Sequence, residues 1–152
     1  MNNSETSKPS VSGSWEVDET QLCATAVQFT QQIITPAVVY LSGELGAGKT
    51  TFVRAMLRSL GVQGAVKSPT YALIESYEVD LGTVVHLDLY RLEDPAELEY
   101  LGFRDLLEEA ALMLVEWPER GHDALPSPDW QINIDYAAQL RQLSIITTST
   151  VS

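Results

Sequence analysis

The chain has 152 residues, 45% of them hydrophobic and 20% charged, which fits one ordinary globular domain and excludes wholesale disorder. No apolar run approaches the roughly 20 residues that a helical membrane span needs. Nine Lys+Arg against 21 Asp+Glu give a net charge of −12, which argues against a surface that grips nucleic-acid phosphates and for an acidic face that meets a basic protein partner.

Residues 1–13 read as a polar, disordered tail, and 14–152 as a single compact domain. The opening stretch has no apolar h-region, and the one cysteine, Cys23, has no internal disulfide partner. Both point to a reducing, cytoplasmic home. Asp18-Glu19-Thr20-Gln21 has the form of a helix N-cap with a Gln three residues on. Leu22, Cys23, Ala26, Val27, Ile33 and Ile34 then recur at helical spacing. Val38-Val39-Tyr40-Leu41 predicts a buried strand that ends at Gly43, and Thr50 to Leu60 predicts an amphipathic helix stopped by Gly61.

Between that strand and that helix lies Gly43-Glu44-Leu45-Gly46-Ala47-Gly48-Lys49-Thr50, a full G-x-x-x-x-G-K-[ST] phosphate loop. Glycines let backbone N–H groups approach phosphate oxygens, and the helix start turns its positive end on the same anion. Lys49 supplies a mobile cation for the β- and γ-phosphates. The Thr50 hydroxyl is a Mg²⁺ ligand by type, and Thr51 is placed to touch the α-phosphate.

Further on, Tyr71 to Val79 and Val84 to Leu89 predict two strands joined by the turn Asp80-Leu81-Gly82-Thr83. Asp94-Pro95-Ala96-Glu97 opens one or two helices reaching about Glu109, and Ala111 to Val115 predicts a second buried strand. Gln131 to Tyr136 and Leu140 to Thr147 form a terminal hairpin by pattern. The mixture predicts an α/β layered domain. From Tyr71 onward there are four arginines, no lysine and 16 carboxylates.

Two carboxylates follow apolar strands and are candidates for the chemistry opposite a phosphate loop. Asp88 sits where a Walker B aspartate sits, and its other reading is a strand-end residue capping a turn. Glu116 is a candidate for the metal or for the attacking water, and its other reading is a solvated strand end. Thr70, in Ser68-Pro69-Thr70-Tyr71, either senses the γ-phosphate or belongs to a plain turn. Trp117 and Tyr90 are by default core aromatics, His86 a packed or hydrogen-bonded core residue and His122 a loop residue. One Cys and two scattered His support no zinc site, and no Gly-x-Ser-x-Gly elbow occurs.

Four blocks in order resemble one family: Gly43 to Thr51, Lys67-Ser68-Pro69-Thr70-Tyr71, His86-Leu87-Asp88-Leu89-Tyr90-Arg91-Leu92 and Glu116-Trp117-Pro118-Glu119. Together they look like the bacterial TsaE (YjeE) family of small P-loop ATPases, a resemblance running from about Asp18 to Arg141. It implies a P-loop NTPase-like three-layer α/β domain with a mixed, partly parallel central sheet and flanking antiparallel strands. It also implies a role in making threonylcarbamoyladenosine on tRNA. The chain would bind ATP and Mg²⁺, dock on a TsaD–TsaB heterodimer and reset that complex by hydrolysis that is weak without the partners. The tRNA would be held by the partners and not by this chain. By the same resemblance Gly43, Glu44, Leu45, Gly46, Ala47, Gly48, Lys49, Thr50 and Thr51 hold phosphates, and Thr50 and Glu116 are metal ligands. Asp88 supports the metal or catalysis, Thr70 lies in a switch-like loop, Trp117 lies beside the nucleotide, and Asp18 and Arg141 are candidates for holding the base.

Three other readings compete. A small-molecule or nucleotide kinase needs an Arg-rich lid, and the late arginines are scattered singly. A GTPase needs an Asn-Lys-x-Asp segment, which does not occur. A nucleotide-gated binding module without significant hydrolysis needs nothing beyond the loop.

Overall fold

A computed structural model describes residues 12–66 and 74–148. Its strands are β1 (Gly13–Val17), β2 (Ala37–Ser42), β3 (Ile74–Val79), β4 (Gly82–Asp88), β5 (Ala110–Glu116), β6 (Trp130–Ala137) and β7 (Leu140–Thr147). Its helices are α1 (Glu19–Gln32), α2 (Lys49–Ser59), α3 (Glu97–Tyr100) and α4 (Phe103–Glu109). The seven strands form one sheet in the order β1-β7-β6-β2-β5-β4-β3. Strands β6, β2, β5 and β4 run parallel to one another, while the pairs β1–β7, β6–β7 and β3–β4 are antiparallel. The expected α/β fold with a mixed, partly parallel sheet and flanking antiparallel strands is therefore present.

The period-2 alternation of the strands sorts their side chains to two faces. Val39, Leu41, Val84, Leu112 and Leu114 join α1 and α2 residues such as Leu22, Phe29, Phe52 and Met56 in one apolar cluster. Val85, Leu87, Met113 and Val115 point the other way and pack with Leu98 of α3 and Phe103 of α4. Phe29 joins the first cluster to the sheet through an edge-on contact with Trp130, 5.1 Å between ring centroids. Parallel strands buried on both faces explain why β4 and β5 read as continuous apolar runs.

Several boundaries differ from the sequence reading for identifiable reasons. Gly13, the last residue of the expected tail, opens β1, a strand no pattern announced: four of its five residues are exposed. It is held by its backbone pairing with β7. Helix α1 ends at Gln32, so Ile34, counted with its apolar face, lies beyond it and is 86% exposed. The predicted strand start at Tyr71 and residues 1–11 of the tail lie outside the described residues.

Candidate functional site

The parallel strands β2, β4 and β5 all end on one edge of the sheet, the place where open α/β sheets hold ligands. Register pairing sets Leu41 opposite Glu116 and Asp88 opposite Glu116. The glycine-rich loop leaves β2 at the same edge and feeds α2. Gly43, Gly46 and Gly48 all have positive φ, at 132°, 81° and 126°. A side chain would strain each of these backbone positions. Gly48 caps α2 and supplies no side-chain hydrogen bond, so the helix starts without a side-chain cap on its first N–H groups.

Around this loop lies a cavity of about 420 Å³ lined by loop residues, Lys49, Thr50, Thr51, Asp88, Tyr90, Arg91, Glu116 and Trp117. Its size suits a small-molecule ligand. Lys49 is nearly buried at 4% exposure. Its Nζ donates to the carbonyls of Gly43 at 2.7 Å and Glu44 at 2.8 Å, and sits 4.5 Å from the centre of the Trp117 ring. Burial holds the ammonium below its ordinary pKa, against the opposing pull of Glu116 and Asp88. Trp117 stands in left-handed backbone at φ 59°, unusual for a bulky side chain. Its N–H donates to the Leu41 carbonyl, and its ring packs on Tyr90 at 4.9 Å. Trp117 packs against the second apolar cluster, as its default reading expects, and also lines the cavity, as does Tyr90.

Glu116 is 2% exposed. The Thr50 Oγ1 hydroxyl lies 3.2 and 3.3 Å from its two oxygens, and His86 Nε2 lies 2.7 Å from Oε2. The alternative of a solvated strand end does not hold for Glu116. Asp88 caps a turn, its Oδ1 accepting from the Tyr90 N–H at 3.1 Å, and the residue also lines the cavity. Its carboxyl is pushed above the usual range, first by burial and then by the charge of Glu116. Thr50, Glu116 and Asp88 present hard oxygen donors, the set that suits Mg²⁺. Among the described residues no three or more His, Cys, Asp or Glu side chains gather as a complete cage, so a cation here would take its other ligands from phosphate and water.

A second cavity, about 300 Å³, opens on the far side of the loop and is lined by Asp18, Gly46, Ala47, Thr51, Gln139 and Arg141 among others. The two residues named for the base are brought together here, although each is already engaged. The Asp18 carboxylate accepts from the Gln21 N–H at 2.8 Å. Arg141 Nε donates to the Ala47 carbonyl at 2.9 Å, and its guanidinium lies 4.6 Å from the Tyr136 ring centre. The β6–β7 hairpin also clasps the loop. Glu44 N–H donates to Asp135 Oδ1 at 3.0 Å, and Tyr136 N–H donates to Glu44 Oε1 at 3.2 Å. Thr70 and the block Lys67 to Tyr71 lie outside the described residues.

The model of the family described as "Threonylcarbamoyl adenosine biosynthesis protein TsaE" matches residues 16–143. The chain belongs to the TsaE family. A tRNA threonylcarbamoyladenosine biosynthesis protein TsaE from Haemophilus influenzae is 47% identical over 114 residues, covering 75% of this chain and 72% of the relative. The protein of that name from Bacillus subtilis is 39% identical over 100 residues, covering 66% of this chain and 62% of the relative. Among solved structures, the crystal structure of Bacillus subtilis YdiB matches with a TM-score of 0.72 at 26% identity, over 90% of this chain and 86% of that one.

Within this TsaE-family site, sequence reasoning missed three contacts. It did not foresee the bond from His86 to Glu116, the clasp of Asp135 and Tyr136 on Glu44, or the packing of Tyr90 on Trp117. The clasp spans 91 and 92 residues of sequence, and no local pattern reports a pairing of that range. His86 carried a signal in being a polar residue inside an apolar strand run.

Proposed function

We propose that the protein is a small P-loop ATPase of tRNA threonylcarbamoyladenosine biosynthesis. It binds ATP with Mg²⁺ in the cavity at the loop and acts on a TsaD–TsaB heterodimer. The observation that carries the reading is the loop itself. Three positive-φ glycines open a helix without a side-chain cap, and Lys49 and Thr50 face Glu116 at the carboxyl edge of the sheet. Backbone N–H groups and the helix start would cradle the phosphates. Lys49 would exchange its bonds to the Gly43 and Glu44 carbonyls for phosphate oxygens, staying within the negative field of Glu116 and Asp88. Thr50 and Glu116 would hold Mg²⁺, with Asp88 supporting. When bound, that ion neutralises charge on the β- and γ-phosphate oxygens. Trp117 and Tyr90 wall one side of the cavity and limit water. The cavity beyond the loop, with Asp18 and Arg141, is the place for the base. A cytoplasmic location accords with a tRNA pathway.

The test begins with equilibrium binding of ATP and a non-hydrolysable analogue, with and without Mg²⁺. Lys49→Ala removes charge-assisted hydrogen bonds, and affinity should fall roughly 10–100-fold with the melting temperature tracked as a control. Tight Mg²⁺-dependent binding by that variant would overturn the assignment. Reconstituted tRNA modification by TsaD and TsaB, with and without the chain, then separates the pathways. Repeated turnovers that need the chain support the role, whereas fast ATP-dependent phosphorylation of a small acceptor by the chain alone would replace it with a kinase.

A further inference from the structure

We infer that His86 is a positioning residue for Glu116, holding one carboxylate oxygen so that the other is presented to the cation at Thr50. The inference rests on the reading of Glu116 as a magnesium ligand. Strands β4 and β5 pair in parallel with Asp88 opposite Glu116. His86, two residues before Asp88, therefore stands on the same face. Val84, Leu112 and Leu114 occupy that face behind it, inside the first apolar cluster. His86 is fully buried there.

Its two ring nitrogens have different surroundings. Nε2 lies 2.7 Å from Glu116 Oε2. With Glu116 as a carboxylate, which only accepts, Nε2 is the donor. Nδ1 is buried with no hydrogen-bond partner among the described residues. Packing does not account for a histidine at this position. A leucine would bury similar apolar bulk in a cluster of valines and leucines and leave no nitrogen unpaired. What a leucine lacks is the donor to Oε2.

That donor answers a problem set by the site. Glu116 is a long side chain at a strand end, facing Asp88, a second carboxylate. Without the bond from His86, only the Thr50 hydroxyl would hold Glu116 against the like charge of Asp88. The bond from His86 fixes Oε2 from inside the core and leaves Oε1 free of the histidine, with Thr50 Oγ1 at 3.2 Å from Oε1 and 3.3 Å from Oε2. Buried partners of this kind orient metal-binding side chains and set their affinity.

The test compares wild type, His86→Leu, His86→Gln and His86→Asn. For each, the affinity for a non-hydrolysable ATP analogue is measured in EDTA and in saturating Mg²⁺, together with the melting temperature. The readout is the ratio of the two affinities. A glutamine amide can reproduce the Nε2 donor, whereas an asparagine is too short to reach Oε2. We expect all variants to match wild type in EDTA within about twofold. We expect His86→Leu and His86→Asn to lose the Mg²⁺ ratio by roughly 10-fold or more, with most of it restored in His86→Gln. If His86→Leu does not fold, the comparison of His86→Gln with His86→Asn decides alone. A wild-type ratio in folded His86→Leu or His86→Asn overturns the inference, as does an equal loss in His86→Gln and His86→Asn. A wild-type protein whose analogue affinity ignores Mg²⁺ overturns the metal reading first, and this inference with it.

Discussion

Gly43 shows how one residue can decide the site. Its φ of 132° lies in the region that favours glycine, and a Cβ added there would sit 1.9 Å from the Ile134 carbonyl oxygen. Backbone on both sides leaves nothing flexible to give way. Gly43→Ala should therefore force the loop off β6, at a cost on the order of 1–3 kcal/mol, and weaken nucleotide binding with it. Chemical denaturation and analogue titration of the same samples check both parts. Wild-type values in both would mean that the loop takes another path. Gly61, whose added Cβ would meet nothing within 4 Å, is the control: Gly61→Ala should affect stability through its φ of 102° and leave binding intact.

At the scale of elements, α1 and the β6–β7 hairpin frame the loop from the side opposite the carboxylates. Helix α1 begins with a reciprocal capping box: Gln21 N–H donates to Asp18 Oδ1 at 2.8 Å, and Asp18 N–H donates to Gln21 Oε1 at 2.9 Å. Asp18→Ala should cost about 1 kcal/mol, which lowers the melting temperature by roughly 2–4 °C for a chain of this length. Asp18→Asn retains a capping oxygen and should melt near wild type. Comparing nucleotide affinity in these two variants separates a charge effect on the ligand from a structural one. A loss of stability in Asp18→Asn equal to that in Asp18→Ala would mean that the cap is not what Asp18 contributes.

The whole molecule carries twelve more negative than positive charges, and acidic residues concentrate in the half after Tyr71. Such a field steers association with a basic partner and weakens as salt shortens its range. On the proposed function, affinity for TsaD–TsaB should fall several-fold between low and physiological ionic strength, read by titration at constant pH. A salt-insensitive affinity would reject an electrostatic docking face. Direct binding of tRNA by the isolated chain should be undetectable at physiological salt.

The sequence determined the elements that carry a local apolar pattern of their own. The apolar runs of β2 and β5 and the amphipathic α2 are local patterns, and each was placed within a residue or so. The glycine-rich loop is legible because its motif is carried by contiguous residues, Gly43 to Thr51. Strand β1 was not legible, since four of its five residues are exposed and its pairing with β7 is made by backbone. Only the tertiary structure decided that Glu116 is buried between Thr50 and His86, that Lys49 folds back on its own loop, and that a hairpin 91 residues away grips Glu44. The physical reason is register: a parallel sheet brings strand ends together across long stretches of chain, and no periodicity in the sequence encodes which ends will meet.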